Sequence, residues 1–137
     1  MAEALAPSRT SSGAELLRLP PHSVEAEQSL LGGLMLDQRA WDQIADVVSA
    51  KDFYRADHKL IFRAISELVE DDQPADAVTV GEHLGQQGKL DAAGGLGYLA
   101  QLFQDTPSAA NIHAYALIVR ERAMLRRLIE IGGDIAA

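Results

Sequence analysis

Four histidines and twenty acidic residues are the side chains of this sequence that could bind a metal ion or transfer a proton. The histidines are His22, His58, His83 and His113, and none has the H-x-x-x-H or H-E-x-x-H spacing that brings two metal ligands onto one helical face. Cysteine is absent, which excludes disulfides, thiolate zinc sites and thiol nucleophiles. We therefore expect no metal site, and we expect His58, beside Asp57, to make a structural hydrogen bond.

Serine and glycine also lack a recognisable catalytic pattern. No serine lies in a G-x-S-x-G elbow, and no G-x-x-x-x-G-K-[ST] loop is present to bind the phosphates of ATP. The glycine-rich run at residues 94–97 is not surrounded by a βαβ pattern, so it predicts a turn into a helix. The remaining enzymatic alternative is a small helical hydrolase, which would require carboxylates that cluster in a buried site.

Composition and charge limit the classes of partner. The 137-residue chain has the length of one domain, and its 47% hydrophobic residues are enough for one core. Its net charge of −8 disfavours DNA as a direct partner, because non-specific affinity for DNA depends on Lys and Arg. No apolar run approaches a signal peptide or the ~18 residues of a membrane span, so we expect a cytoplasmic protein with no membrane contact.

The elements that must position any site are predicted to be helices. Residues 1–18 lack periodicity and predict a flexible tail, residues 19–107 a helical head, and residues 108–137 one long helix. No segment shows sustained period-two alternation, so the fold class is all-α. Helix starts are predicted at Ser23, Asp37, about Asp57, Thr79 (a capping box that Gly88 closes), after Gly94-Gly95, and about Ala109.

Two glycines lie in the middle of the first predicted helix. Each of Gly32 and Gly33 costs a helix roughly 1 kcal/mol relative to alanine. A close approach of two helices explains them better than phosphate binding, because no strand is predicted before them.

The last predicted helix has more apolar surface than the head can cover. One set recurs at heptad-like spacing, and a second set lies on an adjacent face. The first set is Leu117, Met124, Leu128, Ile131 and Ile135; the second is Ile112, Tyr115, Val119 and Ala123. The helix therefore packs partly on its own domain and partly on another chain or a later segment, or it belongs to a domain whose closing helix lies outside this sequence. We expect Arg120, Arg122, Arg126 and Arg127 to form a solvated face with ion pairs.

Several strings, in this order and spacing, resemble one family. They are PPHSVEAEQSLLGGLMLD at residues 20–37, DFY at 52–54 with His58 and Ile61-Phe62, Gly94-Gly95 with Tyr98-Leu99, TPSAANI at 106–112, and IVRERA at 118–123. Together they resemble the N-terminal domain of bacterial DnaB-type replicative helicases, over the whole chain except the tail.

The resemblance implies a compact orthogonal bundle of about six helices followed by the first arm of a helical hairpin. It also implies a non-catalytic collar domain that assembles the hexamer as a trimer of dimers and docks the C-terminal domain of primase and other initiation and replisome proteins. ATP and magnesium would be bound by a C-terminal domain that this segment does not include. The sequence stops inside the first arm, so we expect weakened dimerisation and primase binding. A free-standing helical adaptor or regulator with this domain is the alternative.

The predicted protein-binding residues come from the apolar surplus and from where the family's hairpin lies. They are Tyr115, Ile118, Arg122, Leu125, Leu128 and Ile129 on the long helix, with Tyr98 and Asn111 as further candidates. Each of them is alternatively a core residue, and Tyr98 fits a core position best. We predict no catalytic, cofactor-binding or metal-binding residue.

Overall fold

The computed structural model describes residues 19–136, with side chains up to residue 133. The predicted tail, residues 1–18, and the side chain of Ile135 lie outside this range. Six α-helices and two short 3₁₀ turns make up the described part of the chain, which contains no strand. The helices are α1 (Val24–Leu36), α2 (Trp41–Ile44), α3 (Ala56–Glu70), α4 (Ala77–Gln86), α5 (Gly95–Asp105) and α6 (Ile112–Ala136); the 3₁₀ turns are Gln38–Ala40 and Ala50–Asp52. The all-α prediction is confirmed.

Side-chain caps set the first helix starts where the sequence predicted them. The Ser23 hydroxyl accepts a hydrogen bond from the Ala26 amide at 3.2 Å and caps α1. The Asp37 carboxylate accepts one from the Arg39 amide at 3.1 Å and caps the first 3₁₀ turn. Two of the predicted starts are therefore confirmed, and α3 begins at Ala56, one residue before the predicted start.

The predicted capping box at Thr79 is wrong in register. Asp76 is the cap of α4: its carboxylate accepts from the Thr79 amide, and the Thr79 hydroxyl accepts from the Asp76 amide, both at 2.9 Å. Thr79 is thus the third helical residue, where a Glu or Gln usually stands in such a box. Asp76 is the cap because its carboxylate accepts a hydrogen bond from an amide of the first helical turn and its negative charge interacts favourably with the positive end of the helix dipole. Gly88, at φ 70°, follows the helix end as predicted.

Helix α1 runs through the centre of the core. Leu30, Leu31, Leu34 and Met35 are fully buried, and α1 packs most extensively against α6 and α5. The predicted close approach at its two glycines is confirmed. A β-carbon on Gly32 would lie 1.9 Å from the Thr106 hydroxyl oxygen, so the chain after α5 passes α1 at a distance that only glycine permits.

Helix α6 begins three residues after its predicted start, within the uncertainty expected for a helix boundary. The residues before it form a turn in which the Ser108 hydroxyl accepts from the Ala110 amide at 3.3 Å. The boundary at residues 107/108 between head and long helix stays a prediction. Helix α6 is 25 residues long and is the longest in the described chain.

Candidate protein-interaction surface

One face of α6 belongs to the core of the head. Ile112, Ala116, Val119 and Ala123 are at most 3% exposed, and Tyr115 packs half-buried beside them. The second apolar set is therefore the one that the head covers, an assignment that the sequence left open. These residues lie in the first half of the helix, whereas from residue 124 to residue 133 no side chain is buried and only that of Arg126 is half-buried.

Two rows of exposed apolar side chains run along the rest of α6. The outer row consists of Leu117, Met124, Leu128 and Ile131, which are 43–62% exposed. The flank row consists of Ile118, Leu125 and Ile129, of which Ile118 is half-buried against the head. Each flank-row residue follows an outer-row residue directly in sequence, so the two rows are about 100° apart around the helix axis. The two rows therefore point in different directions, although Leu125 also lines a shallow cleft with the outer-row residues Leu117, Met124 and Leu128.

Two arginines of α6 bind the head: Arg127 is exposed and ion-paired as the sequence predicted, whereas Arg126 is half-buried and bound to backbone oxygens, contrary to the prediction of a solvated face. Arg126 donates to the backbone oxygens of Pro21 and Asp52, at 2.7 Å each, and its guanidinium lies 5.4 Å from the centre of the Tyr54 ring. Arg127 forms an ion pair with the buried carboxylate of Asp52. These contacts join α6 to the segment before α1 and to the second 3₁₀ turn.

The other predicted site residues of α6 lie near the two rows. Arg122 is partly buried and pairs with Glu121 at 2.9 Å, as predicted for the ion-paired face. Asn111 is exposed in the turn before α6, one turn from Tyr115, whose amide donates to the Asn111 backbone oxygen at 3.2 Å. The structure therefore places Tyr115 and Arg122 on the helix that carries the flank row, and Asn111 in the turn just before it.

Tyr98 is not part of this surface. It lies on α5, half-buried, and its hydroxyl makes hydrogen bonds of 2.6 Å with His58 Nε2 on α3 and 3.1 Å with Gln28 Nε2 on α1. Its ring stacks on the imidazole of His58. The expectation that Tyr98 belongs to the inside of the head fits this position better than a role in binding a partner.

The Tyr98 hydroxyl ends a buried chain of hydrogen bonds. His58 is fully buried, and its Nδ1 lies 2.7 Å from the carboxylate of Glu27, which is 2% exposed. Glu27 also accepts from the backbone amides of Tyr54 and Arg55, at 2.7 and 3.4 Å. The predicted structural role of His58 is thereby confirmed, because the network fastens α1, α3 and α5 to one another and satisfies each buried polar group.

A charged pair borders this network. Arg55 donates to both carboxylate oxygens of Asp57, at 3.0 and 2.6 Å. Burial raises the pKa of the Asp57 carboxyl, but the hydrogen bonds from Arg55 and the nearby positive charges lower it more, so the pKa lies below its usual value. The buried carboxylates Glu27 and Asp52 bind different partners, His58 and Arg127, and do not form the clustered acid pair that a hydrolase would require.

Sequence reasoning did not select several residues of the surface. Leu117, Met124 and Ile131 were recognised as an apolar set but not as binding residues. Arg126, Arg127 and Asp52 were missed as anchors of the helix. Heptad spacing is a signal that could have identified Leu117, Met124 and Ile131 as binding residues. Nothing in the local sequence, by contrast, connects an arginine to a carboxylate 75 residues away.

The described side chains near the two rows are not arranged to bind a cofactor or a metal ion. Within residues 19–136, no three His, Asp or Glu side chains come together in a way that could hold a metal ion. A helix long and apolar enough to cross a bilayer is not found in the part of the chain that the structure describes. The surface consists of apolar side chains next to arginine and carboxylate side chains, a composition that is suited to binding another protein.

Comparison with known proteins places this fold and surface in a family. The family described as "DnaB-like helicase N terminal domain" matches residues 19–121. The replicative DNA helicase DnaB of Haemophilus influenzae is 50% identical over 118 residues, which are 86% of this chain and 25% of that protein. This chain therefore spans about a quarter of the length of the curated relatives it matches.

Solved structures agree with this similarity. The crystal structure of the N-terminal domain of DnaB helicase from Mycobacterium tuberculosis superposes with a TM-score of 0.83 at 42% identity, covering 86% of both chains. The N-terminal domain of DnaB helicase from Helicobacter pylori, studied with its interactions with primase, superposes with a TM-score of 0.70. It is 22% identical, over 81% of this chain and 86% of that one, so it supports the fold alone.

Proposed function

This chain belongs to the family of DnaB-like helicase N-terminal domains, and we propose that it is a non-catalytic interaction domain that assembles the helicase ring and docks primase. The observation that carries the proposal is the pair of exposed apolar rows on α6. An apolar surface of this extent on a small domain marks an interface with protein.

The outer row fits a parallel or antiparallel helix along its whole length. Its spacings of seven, four and three residues keep the side chains on one seam, as in a coiled coil. From Leu117 to Ile131 the seam is about 21 Å long, close to four helical turns. The head leaves the outer row exposed, so a neighbouring helix can cover it. We assign it to the second hairpin arm that the family resemblance implies.

The flank row is the better site for a separate partner. Tyr115, Ile118 and Arg122 lie at its border with the head, where all three are half-buried. A partner seated on Leu125 and Ile129 would therefore contact the head as well as the helix, which enlarges the interface. We assign this row, with Leu128 and Asn111 at its margins, to a second subunit of the hexamer and to the C-terminal domain of primase.

Docking would affect primase only by holding it in place on the helicase. The N-terminal domain from Helicobacter pylori is described with its interactions with primase, and we propose the same kind of partner for this member of the family. Holding primase on the helicase raises its local concentration where single-stranded DNA emerges. In this proposal the cytoplasmic helicase binds ATP and magnesium in its C-terminal domain, and this segment neither hydrolyses ATP nor needs a cofactor of its own.

Calorimetric titration with the C-terminal domain of the cognate primase tests the docking site. We expect saturable heat near one-to-one, with a dissociation constant that is roughly micromolar, because a small interface leaves little free energy after the cost of association. Leu125→Asp and Ile129→Asp should abolish the heat. Both side chains are exposed, so the head should stay folded, which circular dichroism checks.

Met124→Asp is the matched control for this experiment, since it places the same charge on the outer row of the same helix. It should leave the primase affinity within about threefold of that of the unchanged chain, less than 1 kcal/mol. A loss of binding in Met124→Asp but not in Leu125→Asp would move the primase site to the outer row. An absence of heat from the unchanged chain and also from the full-length helicase would contradict primase docking.

A further inference from the structure

A groove between α4 and α5 is the second apolar feature of the surface, and it lies on different helices from the proposed assembly site. Its sides are Val78 on α4, Leu96 on α5 and Leu90 between the two helices. Val78 is 71% exposed and Leu96 is 52% exposed. Val78 is the most exposed large apolar residue of the described chain, and it lies opposite Leu96 across the groove.

The floor of the groove is formed by two glycines of α4, Gly81 and Gly85. Packing within the head accounts for Gly81, since a β-carbon there would lie 3.0 Å from Leu96 Cδ1 and 3.5 Å from Leu99 Cδ1. Gly85 has no such neighbour: nothing lies within 4 Å of the position its β-carbon would take. A glycine in a helix is destabilising, and at Gly85 it leaves open space one helical turn from Gly81, where a side chain from outside can enter.

The surroundings of the groove are acidic. Glu82 lines it directly, and residues 76–105, which contain both helices, carry four carboxylates (Asp76, Glu82, Asp91 and Asp105) against one lysine, Lys89. Such a surface attracts a cationic partner and repels a polyanion.

A second copy of this chain fits the groove poorly. Each copy carries a net charge of −8, so two copies repel one another. Two arginines of α6 are not available to offset this charge, because Arg126 and Arg127 are already bound to the backbone and the Asp52 carboxylate of their own head.

We infer that the α4–α5 groove is a docking site for a positively charged amphipathic helix of another protein. The partner helix would insert one apolar side chain over Gly85, between Val78 and Leu96, and would place Lys or Arg side chains beside Glu82 and its acidic neighbours. This is the helix-in-groove mode of recognition, in which apolar anchors give affinity and rim charges select the partner. The site is independent of primase docking on α6.

The test uses a fluorescein-labelled 18-residue peptide of Leu and Lys in an amphipathic helical pattern, and a second peptide with Glu in place of every Lys. Fluorescence anisotropy with the 137-residue chain measures affinity, and amide shift mapping locates the bound peptide. We expect the lysine peptide to bind, to shift amides from Val78 to Gln86 and at Leu96, and to weaken as salt is raised. The glutamate peptide should bind at least tenfold more weakly.

Two variants and two controls locate the binding. Gly85→Trp, which fills the groove from a position with open space, and Glu82→Lys, which reverses the rim charge, should each weaken the lysine peptide at least tenfold. Gly85→Ala, with its small side chain in the same place, should bind within threefold of the unchanged chain. Leu125→Asp on α6 should leave peptide affinity unchanged, just as Gly85→Trp should leave primase affinity unchanged.

Three results would overturn the inference. One is a pattern of amide shifts confined to α6. Another is equal affinity for the lysine and glutamate peptides. The third is an unchanged affinity in both Gly85→Trp and Glu82→Lys when their circular dichroism matches that of the unchanged chain.

Discussion

At the scale of single residues, the fold of the head depends on contacts that only one residue type permits at its position. Gly32 lets the last turn of α5 approach α1 so closely that the Leu102 backbone oxygen would lie 2.6 Å from a β-carbon at this position. His58 uses both ring nitrogens, one toward Glu27 and one toward Tyr98, so it is satisfied without water inside the head. Both positions have a structural reason that requires no catalytic role.

Gly32→Ala tests the close approach. The added methyl group would overlap both Thr106 and the Leu102 backbone oxygen, so α1 and α5 must move apart. We expect the free energy of unfolding to fall by about 1–3 kcal/mol, measured by urea denaturation. Gly97→Ala on α5 is the control, because its β-carbon has no neighbour within 4 Å and the change should stabilise the helix by up to about 1 kcal/mol. Equal effects of the two variants would contradict this account of Gly32.

At the scale of the helices, α6 does two things at once. Its first half supplies four buried residues to the core, whereas its second half is held to the head through arginine rather than through apolar packing. Arg126 is the central contact, since it joins α6 to the backbone before α1, to the second 3₁₀ turn and to the Tyr54 ring, which itself stacks on His22 at 4.1 Å. The direction in which α6 leaves the head is therefore determined by these polar contacts.

Arg126→Ala removes this anchor. Two charge-assisted hydrogen bonds and the contact with Tyr54 are lost, and we expect the free energy of unfolding to fall by about 1–2 kcal/mol because the site is only partly buried. Hydrogen exchange in the second half of α6 should quicken at the same time. Arg120→Ala, at an exposed position of the same helix, should change stability by less than about 0.5 kcal/mol. A loss in Arg120→Ala as large as that in Arg126→Ala would show that helix propensity, rather than docking to the head, is responsible.

At the scale of the whole molecule, apolar attraction and net charge oppose each other in self-assembly. The two rows on α6 favour association, while a net charge of −8 on each copy disfavours it over distances comparable to the Debye length, about 10 Å at 0.1 M salt. A domain built in this way needs either a high local concentration, such as a ring provides, or screening of its charge.

Self-association of the chain should therefore strengthen as salt is raised. Sedimentation equilibrium in 0.05 M and 0.5 M sodium chloride measures this, and we expect weaker association at the lower salt concentration because like charges are less screened there. Ile129→Asp, on the flank row that we assign to a second subunit, should abolish association at both salt concentrations. Association that weakens as salt rises would instead indicate an interface made mainly of ion pairs and would contradict the assignment to the apolar rows.

Local signals in the sequence were sufficient for the helices and for the division of α6 into two faces. Each of these signals affects only residues that are close to it in the sequence. They are the Ser23 and Asp37 caps, the glycines that follow or interrupt helices, and the helical spacing of Ile112, Val119 and Ala123. The family also follows from the sequence, because long strings in a fixed order are rarely shared by chance. These features depend on neighbours along the chain, which a sequence shows directly.

The tertiary structure alone decided the contacts between distant residues. Glu27 meets His58 across 31 residues, and Arg126 finds the backbone of Pro21 across 105. The groove beside Gly85 exists only because α5 packs against α4 on one side of that glycine. Such contacts depend on how the helices pack against one another. The periodicity of the sequence does not indicate which distant partner a polar side chain will contact.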